Sequence, residues 1–531
     1  MNTDRREVVL WRLLALVVSY WLLLQLSFAR GFGVSAEALM IPALAAFGLV
    51  LPARPFRALL GLLVLWVLAL LLYRAADFGL QLFFARPLEL KYDLYLLPNL
   101  WDLLWDSSST VMAIAVLLLL GGLLGGAGLV LARLLGAAAR TLQPVSALIA
   151  WCGFGVFLFS VASPPVQSLR IADGIHDAYL IADGDDRLES QVIAALRKEV
   201  LLPTDLSRLA GGDFLMFFIE SYGRVLWDDP KFRDDLLPVF AQRSRELEQS
   251  GYRIASIFAE STTFGGASWV AHMSVMTGVE CRNSVAWERL LHSSVRPLSS
   301  YFRAQGYETV SVMPAMDIDH WPDGEFFQFS RHLWFKDLGY DGPKYAWSQM
   351  PDQFALLQFD KQVLSSTSEP VFAEVSLTSS HAPFSERPLF HAGAWTEAAL
   401  NATLAGKTPR RTRAIWAIDP DNYPRAIDYS VRSVTHFLKH HYRREGVAVI
   451  MGDHQPPRTV HRAEQLDDVR RFHVPLHIIT ANSAVHEALL KRGFSDGWFP
   501  DENAETIPMH GLRGLFLETL SGGPSPGIVS R

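Results

Sequence analysis

Cysteine is almost missing from this chain: two occur among 531 residues, Cys152 inside an apolar block and Cys281 far downstream. Neither a disulfide framework nor a cysteine metal site can be built from them. An extracytoplasmic location stays open, because a large domain is stable without bridges. Dense runs of lysine and arginine are missing too, and the formal net charge is −6, so nucleic acid is excluded as a partner. There is no internal repeat and no low-complexity tract, which removes solenoids and disordered linkers.

Apolar residues are abundant, at 50% of the chain, and unevenly placed. That is too apolar for an ordinary soluble protein and the chain is too long for one domain. The sequence predicts five membrane-spanning helices, over residues 8–28, 35–51, 57–74, 111–132 and 144–163. Each is roughly the ~17–25 residues that cross a hydrocarbon core. The first has no small-residue cleavage site after it and more spans follow, so it reads as a span and not a signal peptide. Arg12 near its start can snorkel to the interface. If the spans alternate, Arg5 and Arg6, Arg54 and Arg57, and Arg133 and Arg140 all fall on one side, which is then cytoplasmic. Arg30 is the exception. Segment 75–110 and everything after residue 163 then lie outside the cytoplasmic membrane, facing the periplasm or the exterior. Residues 86–106 mix Glu89, Asp93, Asp102 and Asp106 with Tyr92, Tyr95, Trp101 and Trp105. This suits a surface-lying helix pair, with a sixth short span as the alternative.

Residues 164–210 read as a connector with Pro164-Pro165 and an amphipathic helix near 187–200. Residues 211–531 read as a soluble α/β domain. Strands are predicted at 213–219, 253–258, 308–313, 371–377, 446–451 and 473–479. Helices are predicted at 231–250, 268–276, 297–305, 351–365 and 424–442. Strands separated by helices indicate a mainly parallel sheet covered on both faces.

Three segments carry chemistry. In VAVIMGDHQPP an apolar run stops at a glycine and Asp453-His454 follow, one oxygen and one nitrogen donor for a divalent metal at a strand end. FLMFFIESYG ends in Glu220, a carboxylate that a buried strand delivers into a site only where something positive awaits it. GGASWVAHMSVMTG puts Ser268 at a helix start, where free amides favour an oxyanion and a metal can turn a serine into a nucleophile.

Together these residues resemble the sulfatase and alkaline phosphatase-like superfamily. There the nucleophile begins a segment ending ten residues later in the glycine of a Thr-Gly pair, and Ser268 stands so before Thr277-Gly278. The resemblance implies a metal held by Glu220, Ser268, Asp453 and His454, with His381 in SLTSSHAPF binding substrate. Spans followed by such a domain resemble the lipoteichoic acid synthase-like phosphoglycerol transferases. Those usually carry threonine where Ser268 stands; Trp321 is the counterpart of a headgroup-binding tryptophan, and Asp323 stands where they have arginine. Val270 and His272 replace the proline and arginine of true sulfatases, which argues against sulfate ester hydrolysis. Thr262 and Thr263 are rival nucleophiles without the right spacing, and His473 and His272 read as histidines beside the core.

The implied activity is a membrane-anchored transferase using a phospholipid donor, most simply phosphatidylglycerol. The implied acceptor is a hydroxyl on a glycan or glycerol-phosphate chain, and the implied metal is Mn²⁺, with Mg²⁺ or Zn²⁺ as alternatives. Phosphoethanolamine transfer is a second reading, although such enzymes typically carry several disulfides. A phosphodiesterase or sulfatase using water, and a degenerate headgroup-binding relative, are the others. The charge pattern makes one prediction at once. A reporter fused near residue 136 is active only in the cytoplasm and one near residue 200 only outside it; the reverse result overturns the orientation.

Overall fold

The computed structural model describes residues 3–27, 40–84, 88, 93, 110–142, 188–198 and 202–522, apart from 320, 344, 346–347, 385–386, 405–417, 443 and 461–468. It divides into two compact units, Met1–Gln81 with Pro87–Asp185, and Leu82–Arg86 with Asp186–Arg531.

In the first unit, helices run over Thr3–Ser27, Met40–Val50, Ala53–Phe84 and Thr110–Leu142. They pack through Leu44, Ala45, Val64, Val67, Leu131, Leu135 and Ala138. Two of these helices are long and apolar enough to cross a membrane, over Ala53–Gln81 and Leu117–Thr141. Their outward faces are leucine-rich and bare; Leu118 is 71% exposed and Leu62 65%. Apolar surface so extensive marks a lipid-facing helix. Four of the five predicted spans thus fall on helices. The Met40–Val50 helix has 11 residues, too few to cross alone. The predicted fifth span and nearly all of segment 86–106 lie outside the described residues.

The second unit is built on a nine-stranded sheet: β1 Asp213–Ile219, β2 Arg253–Glu260, β3 Glu308–Met313, β4 Arg331–Trp334, β5 Val371–Leu377, β6 Gly446–Gly452, β7 His473–Thr480, β8 Ser495–Asp496 and β9 Ile507–Pro508. Their order is β4-β3-β5-β1-β6-β7-β2-β8, with β9 also on β2. The block β4-β3-β5-β1-β6 is parallel. The sheet is mainly parallel, as the sequence led us to expect, but mixed: β7 runs antiparallel to both its neighbours and β8 antiparallel to β2. The reversal brings His473, the first residue of β7, level with Glu260 at the end of β2.

β1 shows why both faces must be covered. Leu215, Phe217 and Ile219 enter one core with Phe232, Phe240, Phe354, Ile427 and Phe437 from the helices on that side. Phe214, Met216 and Phe218 enter the other with Val270, Met273, Phe302 and Phe516. Alternation on a strand sends successive side chains to opposite faces, and each face needs its own layer. A helix over 188–198 adds Leu188 and Ala195 to the second core. Cys281 is buried and free in that core.

At the far end of the sheet from the carboxyl ends of the parallel strands, Asp213 locks three strands together. Its carboxylate accepts from Arg444 Nε at 2.8 Å and Nη2 at 3.0 Å, and from the Val371 amide at 2.8 Å. Asp213→Ala takes the counter-charge from Arg444, which keeps its bonds to the Leu364, Thr367 and Glu369 carbonyls, and the acceptor from the Val371 amide, and should lower stability by about 3 kcal/mol in unfolding experiments. A loss under about 1 kcal/mol, the worth of an exposed pair, would show the lock to be idle.

Candidate active site and metal centre

Register places the acids side by side. β1 and β6 are parallel neighbours with Ile219 opposite Gly452, so Glu220 and Asp453 leave adjacent strand ends at the same level. The chain is tight there: a Cβ on Gly452 would lie 1.9 Å from the Tyr222 carbonyl oxygen, so only glycine fits. Ser221 adopts a left-handed backbone, φ 61°, which aims its amide at Asp453 Oδ1 at 2.8 Å. A non-glycine residue in that conformation is strained, and such strain gathers at functional sites.

Ser268 arrives from the other face of the sheet. It opens the Ser268–Thr277 helix after Gly265 and Ala267, both with positive φ (70° and 61°), which turn the chain so that Oγ faces the acids. Ser268 Oγ donates to Glu220 Oε2 at 3.0 Å and lies 3.2 Å from His454 Nε2. His454 Nε2 lies 3.1 Å from Glu220 Oε1 and 3.7 Å from Asp453 Oδ2. His454 Nδ1 is 2.7 Å from the Gln455 carbonyl and donates to it, which fixes the tautomer and points Nε2 at the acids.

Glu220, Asp453 and His454 are all buried, and one ligand atom from each lies within 4.8 Å of the others. Burial pushes Asp453 up to about 6, and the neighbouring Glu220 charge adds to this. Burial acts on Glu220 the same way, yet His454 and His381 hold its carboxyl well below the usual carboxylate range. Burial opposes a charge on His454, but Asp453 and Glu220 together raise it to about 9. A proton on His454 is therefore what balances two buried carboxylates, and a divalent cation can take its place. The oxygen-rich set with one imidazole fits a hard or borderline dication.

The rival threonines serve the loop. Thr263 Oγ1 donates to the Gly266 carbonyl at 2.6 Å, and Thr262 Oγ1 accepts from Ser274 at 3.3 Å. His381 follows β5 and lies near enough for its charge to act on Glu220. Trp321 stacks on Phe327 at 5.2 Å between centroids; through Phe327 and Trp287 it joins an aromatic row ending at Trp269, next to Ser268. His473 meets Arg224, Nδ1 to Nη1 3.3 Å. Sequence reasoning missed the supports: Ser221, Ser380, which donates to the Glu220 carbonyl at 2.6 Å, and Ser261, which donates to that of Asp453 at 2.6 Å. A serine beside a turn is too common to have signalled this.

No protein-family model and no curated protein matches the chain. Among solved structures it is similar to a lipoteichoic acid synthase of Listeria monocytogenes, at 15% identity over 59% of this chain and 73% of that one, TM-score 0.38. It is similar to a Streptococcus pyogenes phosphoglycerol transferase in complex with sn-glycerol-1-phosphate, at 16% identity over 64% and 88%, TM-score 0.39. The integral membrane lipooligosaccharide phosphoethanolamine transferase A of Neisseria meningitidis matches at 14% identity over 97% and 96%, TM-score 0.45. What the site can do chemically follows from its own side chains.

Metal uptake should be steeply pH-dependent. A ligand must be deprotonated to bind, and His454 keeps its proton up to about 9. Between about 9 and about 6 one proton is displaced per ion, and affinity falls about tenfold per pH unit; below about 6 Asp453 adds a second. Calorimetric titration with Mn²⁺ across this range measures the slope. A flat profile, or unchanged occupancy in Asp453→Ala by elemental analysis, removes these residues from the ligand set.

Proposed function

We propose that the chain is a membrane-anchored, metal-dependent transferase. It moves a phosphoglycerol group from a phospholipid, phosphatidylglycerol in the simplest case, to an acceptor hydroxyl on a glycan or glycerol-phosphate chain. The reading takes residues 1–163 as the membrane part, 164–210 as connector and 211–531 as the catalytic part, outside the cytoplasm. The observation that supports it is Ser268 Oγ at a helix start, 3.0 Å from one acid and 3.2 Å from the imidazole of a buried Glu-Asp-His set.

Glu220, Asp453, His454 and Ser268 Oγ would hold a divalent ion, Mn²⁺ by the resemblance; when bound it supplies positive charge that acidifies the serine and offsets charge on phosphorus. Ser268 Oγ attacks the phosphodiester, and its proton leaves along the hydrogen bond to Glu220 Oε2. Diacylglycerol departs with a proton, and a phosphoglycerol ester of Ser268 remains. The free amides of the helix start face the phosphoryl oxygens. An acceptor hydroxyl then attacks the ester, gives up its proton and frees Ser268. His381 and Trp321 are assigned to the headgroup. A membrane part and a lipid donor belong together, because the scissile bond lies at headgroup depth.

Ser268→Ala should abolish turnover with the fold intact, since the Ser268 hydroxyl caps no helix amide and bonds to site residues, Glu220 and His454. Ser268→Thr should keep partial activity. Mass spectrometry of the wild type, quenched while it consumes phosphatidylglycerol, should find a phosphoglycerol adduct on the Ser268 peptide. An adduct on Thr262 or Thr263 moves the nucleophile. A phosphoethanolamine adduct formed only from phosphatidylethanolamine changes the donor. Wild-type activity in the alanine variant ends the reading.

A further inference from the structure

Glu374 lies in the middle of β5, 1% exposed, in register with Met216 of β1 and Ser311 of β3. A carboxylate inside a sheet is costly without a partner. Among the described residues its side-chain partner is His272, Nδ1 to Oε1 2.7 Å. The imidazole is fixed from a second side by stacking on Phe218 of β1, 3.9 Å between centroids at 20°. Packing alone does not call for this pair, because two apolar side chains would fill the space at lower desolvation cost.

The two constraints leave Nε2 without a hydrogen-bond partner among the described residues, on a side chain still 12% exposed. His272 follows Ser268 by four residues, so the two share one side of the helix, about 6 Å apart along its axis. Phe218, on which the imidazole stacks, stands two residues before Glu220, so the ring lies on the side of the candidate centre. The sequence alone read this histidine as one beside the core.

We propose that His272, oriented by Glu374, is a substrate-contacting residue whose Nε2–H donates to an oxygen of the phosphoryl group at Ser268. This rests on the phosphoryl-transfer reading of the site. Donation from both ring nitrogens uses the imidazolium, whose charge Glu374 balances.

The test uses the full chain in detergent with Mn²⁺, with bis(4-nitrophenyl) phosphate as substrate and orthovanadate as a five-coordinate oxyanion probe. His272→Ala should lower kcat and weaken vanadate inhibition in parallel, by about 100-fold, as for loss of one oxyanion donor. KM should change by less than about threefold, as for a contact made chiefly in the transition state. His272→Gln, which keeps an N–H, should recover part of both, and Glu374→Gln should fall between. Mn²⁺ content should match wild type in all, while Tm falls in the His272 variants that leave Glu374 unpaired. Should His272→Ala lose its fold, His272→Leu fills the space against Phe218 without a donor and carries the same expectation. Vanadate inhibition that survives in the His272 variants but not in Ser268→Ala overturns this inference alone. Loss of Mn²⁺ from the His272 and Glu374 variants also overturns it, since the pair then supports the ion and not the substrate. Vanadate bound equally by wild type and Ser268→Ala overturns the phosphoryl-transfer reading beneath it.

Discussion

Two carboxylates leave neighbouring strand ends, buried, at the same level. Glu220 ends β1 and Asp453 ends β6, and the parallel register of these strands gives them no way to avoid each other. Like charges in a low-dielectric setting repel strongly, so something positive must stand between them. Each acid is also tied from behind: the Ser221 amide and the His454 amide hold Asp453 Oδ1 at 2.8 and 2.7 Å, and the Ser221 hydroxyl holds Glu220 Oε1 at 3.0 Å. The strained Ser221 backbone and the bare Gly452 serve that arrangement.

Around this charge problem the two faces of the sheet divide the labour. One face packs the long helices Pro230–Gln249 and Tyr423–His440 and carries none of the reacting groups. The other carries the Ser268–Thr277 helix, so Ser268 and the acids meet where that helix start overhangs the sheet edge. Precision comes from backbone and rigid elements, and this holds a site within the tolerance that group transfer demands.

Much of this was legible in the sequence. β1, β3 and β5 run over the predicted residues, and the remaining predicted strands end within two residues of the observed ones, because each is an apolar run closed by glycine, charge or turn residues. Glu220, Ser268 and Asp453-His454 could be found because each sits where such a run ends or a helix begins. β4 was missed: Arg331–Trp334 is four residues with two polar side chains, too short for a period to show. The reversed direction of β7 was missed as well, since a strand's sequence carries no sign of which neighbour it will meet. The pairing of His272 was missed for a related reason. Its partner Glu374 lies about a hundred residues on, and only the pairing of β5 with β1 brings them together.

Among the described residues β2 pairs only with β7, β8 and β9, all of them beyond residue 472. The loop that carries Ser268 hangs from β2, so it has no fixed address until the last quarter of the chain is available. A polypeptide leaves the ribosome N-terminus first. The apolar helices are therefore made, and can enter the bilayer, long before the serine can be set against its acids. A nascent or prematurely terminated chain therefore lacks the assembled Ser-Glu-Asp-His cluster, and the order of strands in this sheet withholds it until the copy is complete.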